Sequence, residues 1–118
     1  MIELQKANNY FESRLHNEKW IEASDTTREN AITTAENMIK GSFSLRENAE
    51  ETTAYFHSVC EQAFHLINFS KERFQLQQEG VHRYNVDDIQ IEMTNGLFPP
   101  IVMGFLKPII HKKAGRIV

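Results

Sequence analysis

The sequence is poor in the residues that build covalent, metal or phosphate-binding scaffolds. A single cysteine, Cys60, excludes an internal disulfide framework. There is no Cys-x-x-Cys, no His-Glu-x-x-His and no Gly-x-Ser-x-Gly. The five glycines stand singly, which excludes a glycine-rich loop that would cradle phosphate. No stretch approaches the roughly 18 apolar residues of a membrane span. The opening Met1-Ile2-Glu3-Leu4 has neither a basic region nor an apolar run. No signal peptide is therefore expected, and a reducing cytoplasm is the expected place of synthesis.

What is present suits one small globular domain. The chain has 118 residues, 41% apolar and 25% charged, enough for a modest core. The net charge of −3 argues against a general nucleic-acid binder, which needs surplus Lys and Arg to displace counterions. The charge is unevenly spread. Residues 1 to 92 carry sixteen acids and nine bases, a balance of −7, whereas residues 93 to 118 carry four bases and no acid. A basic tail thus follows an acidic body.

Periodicity predicts a mainly α fold. Leu4, Ala7, Phe11 and Leu15 form one helical stripe, from which Asn8, Glu12 and Arg14 fall away. After a break at His16-Asn17, a short turn carries Trp20 and Ile21. Ser24 is an N-cap with Asp25 in the first turn, and Ala31, Ile32, Ala35, Met38 and Ile39 repeat at helical spacing. A helix is expected over 25–40, stopped by a left-handed Gly41. A longer helix is expected from near Ala49 toward Gln78, with Phe56, Val59, Cys60, Ala63, Phe64 and Ile67 as a wide apolar face. Tyr55 and Leu66 broaden that face, and Gly80 ends the helix.

Beyond Gly80 the pattern changes. Ile89, Ile91 and Met93 alternate with Gln90 and Glu92, which is strand spacing. Its backbone groups need partners that the helical part does not offer, so pairing with a hairpin or another chain is expected. Asn95-Gly96 signals a turn. Pro99-Pro100 opens a short helix, with Ile101, Val102, Phe105 and Leu106 on its apolar side and Pro108 as its limit. Residues 109–118 read as a flexible basic tail. The expected organisation is a helical bundle over 1–79, an extended arm over 80–97, and a short helix with basic tail over 98–118.

Constellations that resemble active sites dissolve on inspection. His57, Glu61 and His65 lie at i, i+4 and i+8 beside Cys60, all potential metal ligands. Two histidines eight residues apart are about 12 Å apart along a helix, too far to share one ion. Cys60 also fits the apolar stripe as a small hydrophobe. Glu50 and Glu51 are neighbours that diverge on a helix, and Asp87-Asp88 sits at a turn; neither pair suits acid–base work. The sequence therefore points to no enzyme, no metal and no cofactor.

A family likeness runs through the same residues. Ala7-Asn8-Asn9-Tyr10-Phe11-Glu12-Ser13-Arg14-Leu15, Trp20, Ala23-Ser24-Asp25, and then Ala31-Ile32 and Ala35 resemble the small head–tail connector proteins of tailed bacteriophages. They also resemble a related phage group described as DnaT-like single-stranded-DNA-binding proteins. Gln78-Glu79-Gly80-Val81 with Val86-Asp87-Asp88-Ile89 resembles the connectors' Gly-Val arm, and Phe98-Pro99-Pro100 to Pro108 their final helix. The sequence departs from the pattern at His82-Arg83-Tyr84, where small polar residues are usual.

The resemblance implies a structural adaptor in the virion neck, assembled in the host cytoplasm. Its partners would be further copies of itself in a ring of about twelve, the portal protein, and a tail-side connector or stopper. Double-stranded DNA would pass through without being read, and no membrane is involved. Within that expectation, Ile89, Ile91 and Met93 form the arm's buried edge. Phe98, Ile101, Phe105 and Leu106 anchor the last helix. Lys107, Lys112, Lys113 and Arg116 meet an acidic partner surface. The competing expectation is a single-stranded-DNA-binding accessory protein, with the basic tail on phosphate and Tyr84, Phe98 and Phe105 stacking on bases.

Overall fold

A computed structural model describes residues 1–68 and 98–111. The arm over 80–97 with its strand at Ile89, Ile91 and Met93, the extension of the long helix to Gln78, and the tail residues Lys112, Lys113 and Arg116 lie outside them. Within the described residues the fold is mainly α, with four main helices and a short C-terminal one. No strand occurs there; the only β pairing is a single bridge.

Helix α1 spans Leu4–Glu12 and buries Ala7 and Phe11. It is shorter than its apolar stripe suggests. His16 turns left-handed (φ 59°), and the Asn17 amide donates to the Phe11 carbonyl at 2.5 Å, closing the helix end. Leu15 is consequently outside the helix and 76% exposed, so the fourth member of the stripe is no core residue.

Helix α2, Glu18–Glu22, is a short turn whose buried residue is Trp20. Its indole stacks on Phe11 with centroids 4.2 Å apart. Helix α3 spans Asp25–Ser42, and Ser24 caps it by accepting the Thr27 N–H at 3.1 Å. Gly41 does not stop α3. No glycine among the described residues takes a positive φ, and the helix runs on to Ser42 before Phe43 extends. The left-handed residue of the connection after α3 is Asn48 (φ 62°), which leads into a 3-10 turn at Ala49–Glu51. That turn replaces the expected start of the long helix, and α4 begins at Thr53 and is described to Asn68.

Helix α4 is the centre of the molecule. It packs most extensively on α3 and on α5, which spans Pro100–Leu106. Tyr55, Val59, Cys60, Ala63 and Phe64 are buried along it, and so are Ser58, Glu61 and Gln62. The wide apolar face read from the sequence is thus wider still, and includes polar residues. Pro100 occupies the first turn of α5, where its missing N–H costs nothing. Val102 and Leu106 are fully buried, and Ile109 follows them inward from a 3-10 turn at Lys107–Ile109.

The root of the tail is not free. Ile110 bridges Leu45 in antiparallel register, Arg46 N–H donates to the Ile109 carbonyl at 2.8 Å, and His111 N–H to the Ser44 carbonyl at 2.7 Å. The segment from Phe98 to His111 therefore completes the chain's own core, contrary to the expectation of a flexible stretch from residue 109. Its partner is the connection after α3, where Ser44, Leu45 and Arg46 meet residues 109–111.

Candidate interaction surface

Polar side chains fix α1 and the N-terminal segment onto the helical core. Glu61 on α4 has a side chain 2% exposed and meets the Arg14 guanidinium as a fork, Nε to Oε2 at 2.7 Å and Nη2 to Oε1 at 2.9 Å. Such two-bonded pairs are the strong form of ion pair. Tyr10 Oη also donates to Oε2, at 2.5 Å. The remaining Arg14 nitrogen, Nη1, donates to the Leu15 carbonyl at 2.6 Å, and the guanidinium lies 4.3 Å above the Phe64 ring. Hydrogen bonding to Glu61 raises the Arg14 pKa, while burial, with help from the Glu61 carboxylate, raises that of the Tyr10 phenol.

A second buried carboxylate repeats the theme. Glu36 on α3 accepts the Tyr55 hydroxyl at 2.6 Å and the Ile2 N–H at 3.0 Å. Burial first, and then this bond, raise the Tyr55 pKa. Asn8, which the stripe of α1 excludes, accepts the Trp20 indole N–H at 3.0 Å and an Arg28 N–H at 3.2 Å. Neither Arg14 nor Asn8 is an idle surface residue. Their partners lie far off in sequence, and the available signal was Glu61, a charge inside a helix otherwise read as buried.

These contacts leave a groove of about 610 Å³ between the Ile2–Tyr10 segment and the start of α4. Its floor is apolar and half-buried, formed by Ile2, Tyr10 and Phe56. Glu3, Glu50 and Glu51 line it together with Met1 and Lys6. Glu50 is tied to Lys40 at 3.1 Å, whereas Glu3 and Glu51 are exposed. The Glu50-Glu51 pair thus belongs to a charged surface.

The other sequence candidates separate. Phe98 and Leu106 are 2% and 0% exposed, inside this chain's own core. Phe105 is half-buried, its ring 5.2 Å from His57. Ile101 is 47% exposed, because Val102 rather than Ile101 faces α4, so it does not anchor the helix to its own body. Lys107 is exposed. Cys60 is fully buried, and burial pushes its thiol up to about 12. His57 contacts the Tyr10 and Phe56 rings, and Glu61 is committed to Arg14 and Tyr10. Among the described residues no three His, Cys, Asp or Glu side chains gather as a metal site, and no helix is long and apolar enough to cross a membrane.

Comparison with protein-family models, with curated protein sequences and with solved structures finds no match to this chain in any of the three.

Proposed function

We propose that the chain is a non-enzymatic structural adaptor of a tailed-phage neck, forming a ring between the portal and a tail-side connector through which DNA passes. One observation carries this reading. Ala7, Phe11, Trp20, Ala31, Ile32 and Ala35, six of the residues that carry the resemblance to head–tail connectors, are buried together in one core. A shared helical core of this kind suits the small helical adaptor that the resemblance implies. The division between an acidic body and a basic tail adds to it, since a tail of one sign suits a head-to-tail contact with a body of the other. Contacts of that kind close into rings when the rotation permits.

The reading requires a portal protein encoded in the same genome, and the test is assembly on it. Full-length chain mixed with portal should give a ring of about twelve copies on one portal face, seen by electron microscopy and by native mass. Failure to bind any portal surface overturns the proposal. The alternative, single-stranded-DNA binding, is favoured by exposed Lys107 and His111 at the root of the basic tail. It requires oligonucleotide affinity at low salt that falls when Lys112, Lys113 and Arg116 become Ala. No binding at low salt disposes of it.

A further inference from the structure

Helix α5 carries a glycine that its own packing does not require. Gly104 lies in the helix interior, where glycine is the poorest former after proline. It is exposed, its φ is not positive, and among the described residues nothing lies within 4 Å of an added Cβ. Gly41 is equally open but stands one residue from the end of α3, where glycine is ordinary. Ile101 and Lys107, both exposed, flank Gly104 at three-residue spacing. The outer stripe of α5 is thus an apolar side chain, a notch and a cation. Arg46 adds a second cation at the tail root, through its bond to the Ile110 carbonyl. Glu47 is the one acid of residues 43–48, and residues 98–111 hold none.

The complement stands on α2. Ile21 is 53% exposed, and Glu18 and Glu22 beside it are exposed too. Lys19 lies about 160° round the helix from Ile21. Arg28, the other cation nearby, is bonded to the Ile21 carbonyl and paired with Asp25. We infer that α2 of one copy docks on the outer stripe of α5 of a second copy, with Ile21 in the notch at Gly104 and Glu18 or Glu22 on Lys107. The chain's own α2 does not fill that notch, since no described residue lies there. A second copy brings the acid and the knob that α5 lacks. Two different patches of one chain then meet, as a head-to-tail contact needs. The inference rests on the ring reading and supplies its contact.

Ile21→Cys and Gly104→Cys are made in separate full-length chains, mixed, and oxidised with diamide, free at high concentration and again on portal. Cys60 is fully buried and stays out of the reaction. A disulfide should join the two variants to each other, and neither variant to itself. Gly104→Leu should leave the melting temperature unchanged or higher, because the position is open, yet weaken self-association about tenfold by filling the notch. Lys107→Glu should weaken it to a similar degree, and adding Glu18→Lys with Glu22→Lys should restore it. A lowered melting temperature for Gly104→Leu shows that the chain's own residues cover the notch, and overturns the inference. A portal ring that forms without the mixed disulfide does the same, as does a disulfide from Gly104→Cys to portal alone. Each of these leaves the ring standing. A chain that neither self-associates nor binds portal removes the ring reading, and the inference with it.

Discussion

Helix α4 is approached from two sides by forces of different kinds. Toward α1 the ring contacts of Phe11 with Phe64 and of Tyr10 with Phe56 are joined by long polar side chains, Arg14 and Tyr10 on Glu61, while α1 itself packs more closely on α3. Toward α5 the link is apolar, Val102 and Leu106 pressed onto α4 with Phe98 and Ile109 beside them. The Ile110 bridge, its flanking backbone bonds and the bond that Arg46 Nε donates to the Ile110 carbonyl add direction there. Hydrogen-bonded charges fix one geometry and penalise loss of a partner. Apolar contact tolerates small shifts and scales with area. The N-terminal side is therefore specified, and the C-terminal side is merely held.

The largest expected effect comes from removing one partner on the specified side. Arg14→Ala leaves the Glu61 carboxylate buried with Tyr10 as its remaining donor, at a cost of about 3 kcal/mol in urea unfolding. Replacing the whole cluster with apolar groups (Arg14→Met, Glu61→Met, Tyr10→Phe) should recover most of that loss, because no charge is then stranded. A loss below about 1 kcal/mol for Arg14→Ala would mean that water reaches Glu61, and the contrast between the two sides would disappear.

On the held side, Val102→Ala removes two buried methyl groups and should cost about 2 kcal/mol, with little dependence on salt. Ile101→Ala, one residue earlier and half exposed, should change stability by no more than about 0.5 kcal/mol. Equal losses at the two positions would show that α5 is rotated about its axis relative to the packing described.

These contrasts mark what the sequence could and could not show. Local rules sufficed for the Ser24 cap and for the apolar face of α4, since each depends on residues within two turns of helix. Gly41 misled because glycine permits a left-handed stop without requiring one, and α3 stayed helical through it. Leu15 misled because the stripe continued in sequence after His16 and Asn17 had ended the helix. The fork between Arg14 and Glu61 spans 47 positions, and no periodicity connects them. The groove was equally hidden, because its two walls meet only when the N-terminal segment docks through Ile2 on Glu36.

The smallest effect separates the two sides most cleanly. Tyr10 and Tyr55 hold their protons in the folded state beyond the usual phenol range, and Cys60 holds its own to about 12. The unfolded chain releases these protons near pH 9 for the thiol and near pH 10 for the phenols. Above those values the folded state binds more protons than the unfolded one, so stability falls as pH rises. It should be level below pH 9 on account of these groups, and decline progressively above it. Both tyrosines bond to carboxylates that secure the N-terminal side, whereas no tyrosine hydroxyl contacts α5 among the described residues. Amide exchange between pH 9 and 10.5, corrected for intrinsic rates, should therefore show α1 losing protection before α5. Tyr10→Phe should make the decline in α1 shallower, since one titrating group is gone. If α5 opens first, the polar cluster does not set the weaker edge at high pH, and the distinction between a specified side and a held side fails.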